Sequence, residues 1–369
     1  MDAINFHNQQ QKSAPMNSPP LDASKNNDYW LQETISLLTF SLMKGLGYRT
    51  IRTLSLNAES LKQVLKVDSS DEFVDYLKQA GCKTANQLGE VRQTSIQELW
   101  KEATNLYHQL KSQGITVIHS KQADFPQRLR DIKEPPQWLF VQGNVSVLHQ
   151  SAITIVGTRT PSEDGKFLAH YIGGCLPYLK QSVTVSGLAN GIDQIIHRSS
   201  LRFQVPTIAI LGTGILMNYP ENSGELRQEI CKAGGAVISE YLPSESYGRE
   251  KFVLRNRLQA GLARALIPVE WKIDGGTAHT VRFAREANRK IICLRLPDWS
   301  NSRAELIKAQ DMGADIFTIP GQETALLDTI KECLNLENNM DNDDPLPPSS
   351  KKAKKQPEHY QLTLWDIKQ

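Results

Sequence analysis

The stretch Val183–Gly214, with the sequence VTVSGLANGIDQIIHRSSLRFQVPTIAILGTG, contains the pattern that predicts the fold of this chain. Two short apolar runs, Val183–Val185 and Ile208–Leu211, each lead into a glycine-bearing turn, and a helix-length segment lies between them at Ile192–Phe203. Short runs rich in β-branched residues, bounded by glycine and alternating with helical segments, are typical of βαβ units with parallel strands.

The same alternation continues on both sides of this stretch, from Gly114 to about Leu336. Because crossovers between parallel strands are right-handed, it predicts an α/β fold in which a parallel sheet carries helices on both faces. The predicted strands are Ile115–Ile118, Trp138–Val141, Ile153–Val156, Val183–Val185, Ile208–Leu211, Ala236–Ile238, Ala265–Val269, Ile291–Leu294 and Ile316–Ile319. The predicted helices are Gly165–Lys180, Ile192–Phe203, Ser223–Ala233, Asn256–Ala263, Ala278–Asn288, Arg303–Met312 and Glu323–Leu336.

A different pattern precedes the sheet. Up to about Gln113, apolar residues recur at helical spacing, which predicts a small all-helical domain over residues 28–113. The α/β domain then covers residues 114–336. The two ends of the chain are polar and aperiodic, and we predict disordered tails at residues 1–27 and 337–369.

The composition restricts the class of protein. The 369 residues are 40% hydrophobic and carry a formal net charge of +2, so any nucleic-acid surface must come from local clustering of basic residues. The five cysteines include no Cys-x-x-Cys pair, which favours free thiols in a reducing cytoplasm over disulfides or zinc. No signal peptide is visible, and no apolar stretch approaches the roughly 18 residues that span a membrane. We therefore expect a soluble, cytoplasmic protein without a metal or cofactor and with no membrane partner.

Four glycine-bearing turns that follow predicted strands are the main functional signal. Carboxyl ends of parallel strands share one rim of a sheet, so the four turns should meet there. Backbone N–H groups at such turns, together with helix dipoles, favour phosphate. The turns are Val156-Gly-Thr-Arg159, Ser186–Asp193, Gly212-Thr-Gly214 and Gly275-Gly-Thr277.

Two common phosphate-binding motifs do not fit these turns. Met217 stands where a dinucleotide-binding turn needs its third glycine, and Phe167 stands where a P-loop needs a hydroxyl residue. NAD binding and ATP hydrolysis are therefore not expected.

Basic residues flank the same turns, among them Arg159 and the block Arg255-Asn-Arg257. Their collection beside anion-binding turns favours a polyanion over a single nucleotide. Asp193 and His197 are four residues apart and could face each other on one helix. We interpret Asp193 as a cap of the helix start and His197 as its oriented neighbour, because no third catalytic partner is visible. We expect no enzymatic activity.

An ordered series of short motifs extends from Asp124 to Ile319. It contains Phe125-Pro126, Pro135-Pro136, Trp138-Leu-Phe140, Gly143-Asn144, Ile155-Val-Gly-Thr-Arg159, Ser186–Asp193 with His197, Thr207–Gly214, Tyr219-Pro-Glu-Asn222, Ile238-Ser-Glu-Tyr241, and Phe252 with Arg255-Asn-Arg257 and Gly261-Leu262. Together these motifs resemble the DNA-processing protein A (DprA or Smf) family. The chain departs from the family at Gly275-Gly-Thr277, where Ser-Gly-Ser or Ser-Gly-Thr is usual.

The resemblance implies an extended Rossmann-like sheet that binds single-stranded DNA and protects it during natural transformation. It also implies a RecA-type recombinase and a single-strand-binding protein as partners, a homodimer, and a helical domain of sterile-alpha-motif or helix-hairpin-helix type. The residues expected at the DNA-phosphate pocket are Gly157, Thr158, Arg159, Ser186, Gly187, Asn190, Gly191, Gly212, Thr213, Gly214, Arg255, Asn256, Arg257, Gly276 and Thr277, with Asp193 and His197 in support.

The C-terminal Gln361-Leu362-Thr-Leu364-Trp365 resembles the pentapeptide that docks bacterial proteins on the replication sliding clamp, an apolar plug on a tether. Two alternatives to a DNA-binding protein stay open. One is an enzyme resembling the nucleotide phosphoribohydrolases of the Lonely Guy family, which also carry a Gly-Gly-Thr type of turn, as at Gly275-Gly-Thr277. The other is a nucleotide-sensing module without turnover.

Overall fold

The computed structural model describes residues 27–179, 181–300 and 302–335. The predicted tails, including Gln361, Leu362, Leu364 and Trp365, lie outside these residues except for residue 27. Five helices precede the sheet, which we call the helical region. They are α1 (Asn27–Leu42), α2 (Tyr48–Asn57), α3 (Leu61–Lys66), α4 (Ser70–Gln79) and α5 (Ala85–Ser112).

The sheet formed by the described residues has nine strands in the order β1-β2-β6-β5-β4-β3-β7-β8-β9. The strands are β1 (Ile115–His119), β2 (Trp138–Gly143), β3 (Ala152–Val156), β4 (Val183–Ser186), β5 (Thr207–Ile210), β6 (Ala236–Ser239), β7 (Ala265–Pro268), β8 (Lys290–Arg295) and β9 (Asp315–Thr318). Each coincides with a predicted strand to within two residues, and the predicted α/β fold is confirmed.

One edge of the sheet corrects the prediction that all strands are parallel. β2 is antiparallel to both β1 and β6, whereas the pairs from β6 to β9 are parallel. No full crossover helix is needed between antiparallel neighbours, and the segment between β1 and β2 holds only the short helix α6 (Gln127–Arg130).

The remaining helices are α7 (Glu163–Cys175), α8 (Ile192–Arg202), α9 (Gly224–Lys232), α10 (Arg249–Leu262), α11 (Gly276–Glu286), α12 (Ala304–Asp311) and α13 (Glu323–Asn335). The largest difference from prediction is α10, which begins at Arg249 instead of Asn256. Its first half is mostly charged and lacks a clear apolar stripe, so the local pattern does not indicate a helix there. Within the described part of the chain, no helix combines the length and apolar character that crossing a membrane requires.

The four glycine turns follow β3, β4, β5 and β7, which are adjacent parallel strands, and so they lie at one rim of the sheet as predicted. The chain proceeds from β3 to β6 in one direction and then returns to place β7 on the other side of β3. This reversal is the topological switch point at which α/β sheets bind ligands.

The helical region and the sheet share one hydrophobic core. Leu37 and Phe40 of α1 belong to the same buried cluster as Trp138 and Phe140 of β2. Helices and one face of the sheet are thus packed as one unit.

A polar cluster, which we call the helix–sheet contact, lies beside this core. The Tyr48 hydroxyl of α2 donates to Glu240 Oε2 at 2.6 Å, and its ring lies 5.0 Å from the ring of Tyr241. Arg257 of α10 donates to both carboxylate oxygens of Glu240, at 2.5 and 2.6 Å. The contact therefore joins the helical region, the end of β6 and α10.

Candidate nucleic-acid interface

A cavity of about 550 Å³ opens at the switch point between β3 and β7, and we call it the switch-point cavity. Its walls are the turn after β3, at Gly157–Arg159, the loop after β7, at Trp271–Gly275, and parts of α10 and α11. The glycine turns supply two of its sides because they end the two strands that flank the reversal.

Two helices point their N-termini at this cavity. α10 begins after Gly248 and α11 after Gly275, and Arg249 and Gly276, the first residues of the two helices, line the cavity. As both N-caps are glycine, neither can offer a side-chain acceptor to the first-turn N–H groups. These groups and the helix dipoles together favour an anion in the cavity.

Three exposed cations reinforce this preference. Arg159, Arg249 and Lys272 line the cavity, and none of them forms an ion pair within the described residues. The pKa of His279 is lowered by burial and by the positive charges of Arg282 and Arg249. The exposed charged residues of the cavity wall are therefore mostly positive.

The carboxylates that line the cavity do not cancel this charge. They are Asp193, which is buried and hydrogen-bonded, and Asp274, which is exposed. Asp193 Oδ2 accepts hydrogen bonds from the N–H groups of Gly187 at 3.1 Å and Ala189 at 3.4 Å. Burial raises the pKa of Asp193, while Arg255 lowers it.

An aromatic ladder forms the side of the cavity next to α10. The Tyr219 ring centroid lies 4.7 Å from that of Tyr247 and 4.9 Å from that of Phe252. Tyr247 is 63% exposed, and the Arg159 guanidinium lies 5.1 Å from the centre of the Phe252 ring. An aromatic surface beside free cations suits the alternating bases and phosphates of a single strand.

Arg255 and Asn256 build the floor of the cavity. The buried Arg255 guanidinium donates to the carbonyl oxygens of Gly187, at 2.9 Å, and Ile210. Burial lowers its pKa to about 10, so it remains charged at neutral pH. Asn256 Nδ2 donates to the Gly276 carbonyl at 3.0 Å and fixes α10 against the start of α11.

The structure places seven of the predicted pocket residues in the cavity wall and eight outside it. Those in the wall are Gly157, Thr158, Arg159, Arg255, Asn256, Gly276 and Thr277. Those outside are Ser186, Gly187, Asn190, Gly191, Gly212, Thr213, Gly214 and Arg257. Whether the seven contact DNA stays a prediction.

Arg257 is the largest correction to the predicted pocket. Its side chain is 4% exposed and is held by Glu240, which is 1% exposed, in the helix–sheet contact. Successive residues of a helix are about 100° apart. As Arg255 and Asn256 face the cavity, Arg257 faces a different neighbour.

The turn after β5 and, apart from Ala189 and Asp193, the turn after β4 also lie outside the cavity, since these strands are farther from the switch point. A side chain at Gly212 would collide with the Phe252 ring, and one at Gly214 with the carbonyl oxygens of Leu242 and Pro243. Glycine allows close packing at these positions. This turn therefore supports the aromatic ladder rather than a ligand.

The turn after β4 is occupied by internal hydrogen bonds. The Ser186 hydroxyl donates to the Ile155 carbonyl at 2.8 Å, and Asn190 Oδ1 accepts from Gln194 at 3.2 Å. Gly191 has φ of +80°, a left-handed conformation that glycine adopts without strain.

Asp193 and His197 do not bond each other. Asp193 binds the N–H groups of the preceding turn, and His197 Nδ1 lies 2.8 Å from the Thr207 hydroxyl. Burial and the charge of Arg255 lower the pKa of His197 to about 3. Both residues support the fold beneath the cavity.

Lys272 was missed by sequence reasoning, although it lies in the cavity wall. The available signal was its position in the loop after β7, close to the Gly275 turn.

The fold and this cavity define a doubly wound α/β protein with a cationic, aromatic-lined cavity at its switch point. The chain belongs to the DNA recombination-mediator protein A family, whose sequence model matches residues 116–325. The resemblance to the DprA family is thereby confirmed.

Curated relatives carry the same family names. Protein Smf of Synechocystis sp. (strain ATCC 27184 / PCC 6803 / Kazusa) is 35% identical over 213 residues, which cover 56% of this chain and 52% of the relative. DNA processing protein DprA of Bacillus subtilis (strain 168) is 30% identical over 200 residues, covering 54% and 67%. The chain thus spans about half to two thirds of the length of these two relatives.

Two solved structures share the fold. DprA from Streptococcus pneumoniae aligns with a TM-score of 0.60 and 25% identity over 82% of this chain and 98% of the other. DNA processing protein A from Helicobacter pylori, a structure that describes a single-stranded DNA binding mode of that protein, aligns with a TM-score of 0.50 and 24% identity over 58% and 95%.

Proposed function

We propose that this chain binds single-stranded DNA in the switch-point cavity. The observation that carries the proposal is the meeting of two glycine-capped helix N-termini with Arg159, Arg249 and Lys272 in one cavity. DNA processing protein A from Helicobacter pylori, which shares the fold and binds single-stranded DNA, supports the proposal.

Each part of the cavity has a proposed role in holding the strand. Phosphates lie against the first turns of α10 and α11 and pair with the three exposed cations. Bases stack on Tyr247 and Tyr219, at the exposed end of the aromatic ladder. Every base has a π-face, so such stacking tolerates any sequence.

We place this binding in natural transformation and recombination, where the chain protects incoming single strands in the cytoplasm. Its proposed partners are a RecA-type recombinase, a single-strand-binding protein, the sliding clamp and a second copy of the chain. The family name, DNA recombination-mediator protein A, supports the recombinase role.

We propose that the chain acts by binding alone and is not an enzyme. A phosphoribohydrolase would need a free glutamate beside Gly275-Gly-Thr277. Glu270, at the end of β7, instead accepts hydrogen bonds from the Ser162 N–H at 2.9 Å and the Ser162 hydroxyl at 2.8 Å, and it does not line the cavity. Its carboxylate thus holds Ser162, the N-cap residue of α7.

Binding of a fluorescent oligothymidylate at several salt concentrations tests the proposal. With three cations on phosphates, the logarithm of the association constant should fall with the logarithm of salt with a slope of about −2. Thymidine monophosphate should compete weakly, because it offers one phosphate. Binding that ignores salt, equal competition by the mononucleotide, or release of free base from nucleoside monophosphates would contradict it.

A further inference from the structure

A second cavity, of about 640 Å³, lies between the helical region and α10, and we call it the helix–sheet groove. One wall is the start of α2, at Gly47–Thr50, and the other is the first two turns of α10, at Arg249–Leu254. Tyr241 and Phe283 also line it. Tyr48 and Tyr241, which belong to the core that joins the two regions, form its inner side.

The groove adjoins the switch-point cavity. Arg249 and Val253 line both. They are four residues apart and lie on one face of α10, so the first turn of this helix forms the ridge between the two spaces. A DNA strand that leaves the cavity over Arg249 would enter the groove directly.

The charged residues of the groove favour an anion only slightly, because carboxylates offset most of the positive charge. Three cations, Arg49, Arg249 and Lys251, face two carboxylates, Glu245 and Glu250. Lys251 Nζ lies 2.8 Å from Glu245 Oε1, with both side chains about three quarters buried. The Lys251–Glu245 ion pair is thus largely shielded from water, whereas Arg49, Arg249 and Glu250 are exposed.

The outer ion pair can be exchanged for a phosphate. Arg49 Nη2 lies 2.6 Å from Glu250 Oε2, but the two side chains are 81% and 82% exposed. Ion pairs this exposed contribute little to stability, and water competes for both partners. Arg49 can thus turn to a phosphate, and Glu250 is the exposed carboxylate of the groove that opposes it.

The apolar part of the groove suits the rest of a nucleotide. Val253, Leu254 and Phe283 offer half-buried apolar surface beside the cations. Sugars and base faces can cover such surface while phosphates stay at the charged margin.

We infer that a bound single strand crosses the first turn of α10 and continues into the helix–sheet groove, where Arg49 binds a phosphate that the cavity does not reach. This inference rests on the proposed function of the cavity. It makes the helical region a direct DNA contact and makes affinity depend on strand length.

Two oligothymidylates separate the groove from the cavity. One of about four nucleotides fills the cavity alone, and one of about twelve reaches both spaces. Arg49→Ala should weaken binding of the longer strand about fivefold, reduce its salt slope by about 0.7, and leave the shorter strand unchanged. Glu250→Gln should strengthen the longer strand about twofold, because it removes the opposing charge and frees Arg49.

Lys78→Ala is the matched control, since Lys78 is an exposed cation of the helical region on α4 and lies outside the groove. The inference is overturned if Arg49→Ala and Glu250→Gln leave the longer strand unchanged, or change both strands equally, while Arg159→Ala still weakens both. If neither strand binds the unaltered protein, the proposed function itself is wrong and the groove inference falls with it.

Discussion

The switch-point cavity and the helix–sheet contact both combine arginines with aromatic rings, but they differ in how the charge is partnered. In the cavity Arg159 is exposed and forms no ion pair within the described residues, and its guanidinium lies over Phe252. In the contact Arg257 is buried and bound at both ends of the Glu240 carboxylate. An arginine that is paired with a carboxylate supports the fold, whereas an arginine without an ion pair is available to a ligand.

The largest effect that would test this comparison is expected at Arg257. Arg257→Ala should lower the free energy of unfolding by about 3–5 kcal/mol, because the Glu240 carboxylate would be left buried without its counter-charge. Urea unfolding measures this loss. The double variant Arg257→Met with Glu240→Leu should lose less, as it removes both charges. A single variant as stable as the unaltered protein would show that the pair is not buried in solution.

Acid should lower the free energy of unfolding through a buried histidine that lies where the helical region meets the sheet. His119 Nε2 lies 2.9 Å from the Thr34 hydroxyl of α1, and burial lowers the pKa of His119 to about 4. The unfolded chain takes up this proton below about pH 6.5, so stability is full above that pH. It then falls by about 1.4 kcal/mol per pH unit down to about pH 4.

His197, with its pKa of about 3, adds a similar loss over the same window. His119→Gln should therefore roughly halve the pH dependence of urea unfolding between pH 6.5 and 4.5. An unchanged slope in this variant would mean that His119 is already accessible to protons in the folded protein.

Arg159→Ala should have the opposite profile from Arg257→Ala. We expect about tenfold weaker binding of oligothymidylate and a salt slope shallower by about 0.7, because one phosphate contact is lost. The urea midpoint should not move, since Arg159 is exposed. Lys232→Ala, an exposed cation at the end of α9, is the control. A stability loss without an affinity loss would reverse the comparison.

The smallest effect is expected at the tip of the aromatic ladder. Tyr247→Ala should weaken binding about fivefold through lost base stacking, and the salt slope should stay the same because no phosphate contact changes. Tyr178→Ala removes another exposed tyrosine, away from the cavity, and should change nothing. A changed salt slope at Tyr247 would mean that its hydroxyl binds phosphate.

The sequence predicted the strands well and the site only in part. Strands such as β4 and β5 are short, β-branched and bounded by glycine, so local composition marks them. The direction of β2 depends on its pairing with β6, almost one hundred residues later in the chain, which no local pattern shows.

The error at Arg257 has the same origin. Arg255 and Arg257 are indistinguishable in the motif, and their difference depends on Glu240, seventeen residues away, and on Tyr48 of the helical region. Lys272 was missed for the converse reason, because its loop had no basic motif around it. These residues differ in which side chains they meet in the folded protein, and the sequence around each residue does not show those neighbours.

The core that α1 shares with β2 has a consequence for how the protein can be divided. Removing residues 27–112 would leave Trp138, Phe140 and Tyr241 without the neighbours that keep them from water. A fragment starting at β1 should therefore self-associate through this uncovered apolar face. We therefore expect the sheet to need the helices as the cover of this face, and deletion experiments should keep them in place.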